Sequence, residues 1–98
     1  MSVPSNEIAY EPGFRKDVHG LPSVIQEKLA ELITMLIKNP FDPRLHTKPL
    51  HPPLQKVFSF RITRDYRVGF TFDASHTIRL LIADTRDHIY QRLERKMS

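Results

Sequence analysis

The sequence predicts an α+β fold in which an antiparallel sheet packs with one face against a helical hairpin. The first sign is a helical stripe between Pro22 and Asn39, with Pro40 disfavouring helix beyond it. The stripe consists of Val24, Ile25, Leu29, Leu32, Ile33, Leu36 and Ile37. The second sign is a series of three later segments in which apolar and polar residues alternate, as in strands covered on one face. Together these patterns predict a single domain over residues 1–98.

The other elements follow from turn residues and short apolar runs. Two short elements precede the long helix, a strand at 7–10 that ends at Pro12-Gly13 and a helix at 14–19 that ends at Gly20. The alternating strands are expected at 57–63, 66–73 and 77–84, with a final helix over 86–96. The segment between the long helix and the first of these strands, residues 39–55, holds five prolines. We expect it to be a stiff loop, and long ordered loops are often functional.

Composition narrows the class of protein. Hydrophobic residues make up 40% and charged residues 27% of the 98 positions, as in ordinary globular proteins. The absence of cysteine excludes a disulfide framework and a thiolate metal site. There is no apolar run of the roughly 18 residues that a membrane span needs, and no signal-peptide pattern at the N-terminus. We therefore expect a cytoplasmic protein without membrane contact.

Positive charge is concentrated in one quarter of the chain. The formal net charge is +4, and residues 44–67 hold six basic residues against one acid. The basic residues are Arg44, Lys48, Lys56, Arg61, Arg64 and Arg67. Such a local field favours a polyanionic partner, whereas the plainer alternative is a solvated surface.

Strand register predicts where the arginines meet. The apolar residues of the first two long strands can share a face only if a three-residue or bulged turn joins the strands. Arg67 then lies opposite Arg61 or Thr63, and both arginines point to the open face. Pairing the second strand with the third through Val68 and Ile82 sets Arg67 opposite Ala83. The chain then continues to Arg86, so three arginines should converge at one end of an open sheet face.

Close arginines need an anion or an acid between them. A structural interpretation is that Asp65, Asp84 and Asp87 neutralise the group. A functional interpretation is a site for RNA phosphate, since guanidinium groups bind phosphate through two hydrogen bonds. We favour the second, and expect Arg67 to be an exposed strand residue with no role in the core.

Four stretches of the sequence resemble the RelE/ParE toxin superfamily. They are residues 39–50, 60–68, 78–83 and 85–90, and the resemblance extends over about residues 8–92. It implies a RelE-like βααβββ(α) fold. For the RelE branch it also implies the toxin of a type II toxin–antitoxin system, an enzyme that cleaves mRNA in the ribosomal A site and inhibits translation.

In such an enzyme the 2′-hydroxyl of the RNA attacks the adjacent phosphate, so neither a metal nor a cofactor is expected. The expected partners are mRNA in the ribosomal A site and a cognate antitoxin protein. The resemblance makes Arg67 the charge stabiliser, Arg61 a support for the phosphate and Tyr90 an aromatic that positions or stacks on a nucleotide.

Arg86 stands where some relatives have a histidine acid. Because arginine does not release its proton near neutral pH, Arg86 could only stabilise charge. The proton donor would then be His88, His46, His51 or Lys48. The catalytic candidates are thus Arg67, Arg86, Tyr90 and His88. The RNA-binding candidates are Arg61, Arg64, Lys48, His46, His51 and Lys56.

Two other functions compete with the endoribonuclease. One is a ParE-like inhibitor of DNA gyrase, which binds protein and performs no catalysis. The other is a non-catalytic RNA- or DNA-binding descendant of the toxin fold, which the missing histidine at position 86 supports. A basic face next to acid–base candidates favours the endoribonuclease.

Overall fold

A five-stranded sheet flanked by three helices forms the described part of the chain, residues 6–97, in this computed structural model. Residues 7–10, 14–19 and 23–38 form the first strand and the two N-terminal helices, as the sequence predicts. In chain order the elements are β1 (Glu7–Tyr10), α1 (Phe14–His19), α2 (Ser23–Lys38), β2 (Lys48–Pro49), β3 (Val57–Arg61), β4 (Tyr66–Asp73), β5 (Thr77–Thr85) and α3 (Arg86–Met97).

The sheet has the order β1-β5-β4-β3-β2. Strands β3 to β5 pair antiparallel, as predicted. Strand β2 also pairs antiparallel, with β3, whereas β1 runs parallel to β5 at the other edge. The two residues of β2 lie within the proline-rich segment predicted as a loop and pair with Ser59 and Phe58. The RelE-like α+β arrangement is therefore confirmed, with one more strand than the sequence patterns indicate.

The main core lies between one sheet face and the helical hairpin α1–α2. Helix α2 buries Ile25, Leu29, Leu32 and Leu36, which follow one another at the three- and four-residue spacing of a helix face. They pack against buried residues of the sheet, among them Phe60, Val68 and Phe70. Val24, at the margin of the predicted stripe, is 66% exposed. Within residues 6–97, no helix is both long enough and apolar enough to cross a membrane.

Helix α3 covers part of the second sheet face, which the sequence interpretation left open. Its Ile89 and Leu93 are fully buried and belong to a smaller apolar cluster with Leu54, Val57, Leu81 and Ile82. Gly69 of β4 allows the close approach of helix and sheet, because a Cβ atom there would lie 2.7 Å from Leu93 Cδ2. The expectation of a fully open second face was therefore wrong.

The register of β3 with β4 is confirmed, and that of β4 with β5 is corrected. Arg61 lies opposite Arg67, and three residues, 63–65, form the turn that precedes β4. A bulge between β4 and β5 sets Ala83 opposite Val68, so Asp84 and not Ala83 lies opposite Arg67. Apolar alternation could not reveal the bulge, because Leu81 and Ile82 are both apolar and both lie in the smaller cluster.

An ion-pair network fastens α3 to the rest of the fold. The Arg92 guanidinium donates to Asp17 of α1 at 2.9 Å and to Asp84 of β5 at 3.0 Å. The second oxygen of Asp17 accepts a hydrogen bond from the backbone N–H of Ala83 at 3.1 Å. Helix α3 thus keeps a fixed position relative to the end of the sheet where Arg67 lies.

Candidate nucleic-acid interface

Arginines from three elements meet at the end of the sheet where β3 turns into β4. Arg61 and Arg67 form a cross-strand pair on the second face, where directly opposed Cβ atoms lie roughly 4.5–5.5 Å apart. The backbone N–H of Arg86 donates to the carbonyl oxygen of Asp65 in the turn, at 2.9 Å. This bond holds the first residue of α3 beside the turn, as the predicted convergence of the three arginines requires.

These arginines line a cleft of about 470 Å³, called here the arginine cleft. Its other walls come from the β3–β4 turn and from the proline-rich segment before β2. No aspartate or glutamate of the described residues lines it. The lining residues are Arg44, His46, Arg61, Ile62, Thr63, Arg64, Arg67 and Arg86.

Arg67 is buried, with 7% of its surface exposed. The expectation of an exposed side chain was wrong because β4 is the central strand of the sheet and α3 crosses the same face. The Nε of Arg67 has no hydrogen-bond partner among residues 6–97. An unpartnered buried charge is costly, so the arrangement suits an anion that enters the cleft.

A second buried polar atom lies beside Arg67. Ser59 Oγ is buried and finds no hydrogen-bond partner in the described chain. Ser59 pairs with Gly69, two residues from the Arg61–Arg67 pair on each strand, so both pairs share one face. Two polar side chains without complete hydrogen bonding thus lie next to each other on this face of the sheet, but Ser59, unlike Arg67, does not line the arginine cleft.

The nearby acids neutralise the arginine cleft only in part. Asp84, which faces Arg67 across the strands, is engaged by Arg92. Asp87 lies 3.8 Å from Arg86, and both side chains are largely exposed. Asp65 contributes only its backbone carbonyl, to the N–H of Arg86. Of the three acids in the structural interpretation, only Asp87 thus pairs with an arginine of the cleft.

Arg44 enters the arginine cleft with its own counter-ion. Its guanidinium pairs with Asp42 at 2.8 Å, and its backbone N–H donates to the same carboxylate. These hydrogen bonds lower the pKa of Asp42 to about 2. Arg61, Arg64 and Arg67, in contrast, make no ion pair with any acid in the described range.

His46 lies on the segment that closes the arginine cleft on the β2 side. It follows the single 3₁₀ turn Pro43–Leu45 and has left-handed backbone angles, φ 52° and ψ 41°. Leu45 beside it is fully buried in the main core. The hydroxyl of Thr47 donates to the carbonyl of Pro40 at 2.5 Å, which closes the segment on itself.

Tyr90 and Lys48 form a second feature, next to the arginine cleft. Tyr90 follows Arg86 by four residues on α3, so both lie on one side of the helix about 6 Å apart along its axis. Lys48 Nζ lies 5.9 Å from the centre of the Tyr90 ring, within cation–π range. One face of the ring is therefore already covered by a cation.

The remaining predicted residues do not line the arginine cleft. His88 Nδ1 lies 3.1 Å from Thr85 Oγ1 at the start of α3. His51 and Lys56 are exposed in the segment before β3. In the described range, no group of three histidine or acidic side chains is arranged to hold a metal ion.

The sequence interpretation missed Arg44 as a cleft residue. Arg44 was counted in the basic segment but had no predicted position, because an irregular loop has no alternation from which to read a face. A local signal was present. Asp42-Pro43 is a typical start of a helical turn, with an acid at the cap and proline at the first position.

The fold and the arginine cleft together define a small α+β protein with a cationic site on one sheet face. No protein-family model matches the sequence, and no curated protein matches it. Among solved structures, the RelBE2 toxin–antitoxin complex from Mycobacterium tuberculosis matches with 31% sequence identity and a TM-score of 0.70. The match covers 86% of this chain and 100% of the other.

Other solved structures share the fold at lower identity. YafQ from E. coli matches with 22% identity and a TM-score of 0.68, over 87% of this chain and 98% of the other. The RelE–RelB complex from Pyrococcus horikoshii matches with 17% identity and a TM-score of 0.70, over 84% and 96%. The chain belongs to the RelE/ParE toxin superfamily, as the sequence resemblance predicts.

Proposed function

We propose that the chain is the toxin of a toxin–antitoxin system and acts as a ribosome-dependent endoribonuclease that cleaves mRNA and inhibits translation. The observation that carries the proposal is Arg67, a buried arginine whose Nε has no partner in a cleft lined by four further arginines. Such a site is built for an anion, and the RNA backbone presents one phosphate per nucleotide.

The proposed reaction needs no nucleophile from the protein. The 2′-hydroxyl of the RNA gives up its proton to solvent as its oxygen forms a bond to the adjacent phosphorus. The bond from phosphorus to O5′ breaks and O5′ takes up a proton, so that a 2′,3′-cyclic phosphate and a 5′-hydroxyl result. Negative charge on the phosphoryl oxygens grows as the new bond forms. Arg67 and Arg61 would stabilise that charge from the floor of the cleft, and Arg86 from the end of α3.

The ribosome would hold the RNA strand in the conformation that cleavage requires. The arginine cleft is lined mostly by arginines, which stabilise charge but do little to fix the conformation of a flexible RNA strand. Holding the 2′-oxygen in line with the leaving oxygen is worth several orders of magnitude in rate. We therefore propose that mRNA held in the A site, in the cytoplasm, is the substrate and that free RNA is cut poorly.

A cognate antitoxin is the proposed protein partner. The similar protein from Mycobacterium tuberculosis is part of a toxin–antitoxin complex, and the archaeal structure is also of such a complex. An unneutralised cationic cleft on this chain would attract an acidic segment of a partner.

The proposal is tested by a cell-free translation reaction followed by primer extension on the mRNA. We expect new 5′ ends within codons of the translated region when the protein is present. Arg67→Met should remove these ends, because loss of one charge contact to the transition state costs on the order of 10²–10³ in rate. The matched control is Arg15→Met, which removes an exposed arginine of α1 outside the arginine cleft.

The same preparation distinguishes the competing functions. If the protein inhibits DNA supercoiling by gyrase while mRNA stays intact, the chain is a ParE-like gyrase inhibitor and not an endoribonuclease. Intact mRNA with active gyrase would leave only the non-catalytic nucleic-acid-binding alternative. If Arg15→Met lost as much cleavage as Arg67→Met, general positive charge and not the arginine cleft would explain the activity.

A further inference from the structure

We propose that His46 is the general acid that protonates the 5′-oxygen when the RNA is cut, an inference that rests on the proposed endoribonuclease function. A departing 5′-alkoxide is a strong base and needs a proton. Five of the eight residues that line the arginine cleft are arginines, which stay protonated throughout the catalytic pH range. Among the lining side chains only that of His46 is an imidazole, the group that most often serves as a general acid in enzymes.

The other candidate donors are directed elsewhere. His88 lies against Thr85, with its Nδ1 3.1 Å from the threonine hydroxyl, and does not line the arginine cleft. Lys48 lies over the ring of Tyr90. His51 is exposed, follows the short strand β2 in the chain and does not line the arginine cleft. Geometry thus reduces four candidates to one.

The segment that bears His46 is held firmly, which a proton donor requires. Asp42 caps the 3₁₀ turn by accepting from the backbone N–H of Arg44 at 2.9 Å. The backbone N–H of His46 donates to the carbonyl oxygen of Pro43 at 3.2 Å. Leu45 anchors the turn in the main core. The imidazole is therefore attached to a braced loop and not to a free one.

In the proposed step, the bond from phosphorus to O5′ breaks and its electron pair goes to O5′, which takes the proton of the His46 imidazolium. His46 is left neutral and recovers a proton from water before the next cycle. The charged groups that line the arginine cleft with it are Arg44, Arg61, Arg64, Arg67 and Arg86. These cations bind the phosphate between them and the imidazole, which brings O5′ within reach of the histidine.

The test compares His46→Asn with His76→Asn in cleavage of ribosome-bound mRNA. His76 is exposed, has a positive φ of 67° and does not line the arginine cleft. Asparagine tolerates the left-handed backbone at position 46, so the loop keeps its shape while the titratable ring is lost. We expect His46→Asn to slow cleavage by about 10²–10⁴-fold, the usual contribution of a general acid. His76→Asn should cleave at the parental rate, and the melting temperature of both variants should match the parent.

A second substrate identifies the role. In mRNA carrying a bridging 5′-sulfur at the cleavage position, the leaving thiolate needs no proton. The slowing caused by His46→Asn should then shrink to less than about 10-fold. Equal slowing on both substrates would overturn the donor role, and so would parental cleavage of natural mRNA by His46→Asn. If the parent chain cuts neither substrate, the endoribonuclease proposal fails, and this inference falls with it.

Discussion

Arg67 shows at the scale of one residue how a site for charge is maintained at the expense of stability. Its guanidinium is buried, its Nε lacks a partner in the described chain, and its cross-strand neighbour is another arginine. Like charges directly opposite each other in a sheet destabilise the pair. A side chain with these surroundings contributes little to the fold unless an anion is bound.

Arg67→Met is therefore expected to stabilise the free protein, because it replaces an unpaired buried charge with an apolar side chain of similar length. We expect the free energy of unfolding to rise by about 1 kcal/mol. Urea denaturation in a buffer without phosphate or sulfate measures the change, with Arg15→Met as the exposed control. A fall of more than about 1 kcal/mol would show that Arg67 is needed by the core.

At the scale of one element, α3 determines the form of the site. It covers the second face of the sheet, sets Arg86 at the rim of the arginine cleft and presents Tyr90 beside Lys48. Two contacts fix its position: Leu93 packs on the bare backbone of Gly69, and Arg92 joins Asp17 to Asp84. Each contact can be tested by substitution.

Gly69→Ala is expected to push α3 away from the sheet. The new methyl group would meet Leu93 Cδ1 and Cδ2 at 2.8 and 2.7 Å, and the fully buried leucine has little room to move. Overpacking of this kind costs about 1–3 kcal/mol of unfolding free energy.

The double variant Gly69→Ala with Leu93→Ala provides the control. Removal of the leucine branches should make room for the added methyl, so the double variant should be less destabilised than the two single losses together. Urea denaturation of all four proteins gives the coupling. Simple additivity would show that the two residues do not press on each other.

Arg92→Met tests the ionic contact of α3. It leaves Asp17 and Asp84 without their cation, although 38% of the arginine side chain is exposed and water offsets part of the loss. We expect a loss of about 1–2 kcal/mol in unfolding free energy. The exposed Arg15→Met should change it by less than about 0.5 kcal/mol. If both variants changed the unfolding free energy equally, Arg92 would not help to hold α3 against the rest of the fold.

For the whole molecule, the distribution of charge predicts how a partner binds. Residues 44–67 hold six basic residues against one acid, and in the arginine cleft only Arg44 and, more weakly, Arg86 are paired with an acid. An antitoxin with an acidic segment would be drawn to this end over a range set by ionic strength. A tail that is disordered alone and folds on binding could cover so broad a surface.

The expected outcome is that the product of the adjacent gene binds the chain when the two are co-expressed and abolishes its toxicity. The association rate should fall as salt rises, while the dissociation rate changes less, because apolar contacts hold the complex once formed. Stopped-flow binding at two salt concentrations measures both rates. If no neighbouring product binds and the chain alone is harmless to cells, the toxin proposal should be abandoned.

The sequence by itself determined the helices, every strand except β2, and the shared face of β3 and β4. The helical stripe of α2 and the alternation of Phe58, Phe60 and Ile62 are local patterns, and a strand shifted by one residue would expose its whole apolar face. That constraint left Arg61 or Thr63 as the partner of Arg67, and the structure shows that the partner is Arg61. The resemblance then supplied the family, and the structural match confirmed it.

Only the tertiary structure decided what surrounds those arginines. Three features depend on contacts between residues far apart in the chain. They are the bulge in β5, the packing of α3 on the second sheet face and the ion pair of Asp84 with Arg92. Alternation cannot reveal a bulge when two consecutive residues are apolar. Nor can alternation show which loop residue lines a cleft. His46 and His51 are equivalent candidates in the sequence, and only the folded loop places His46, and not His51, beside the arginines.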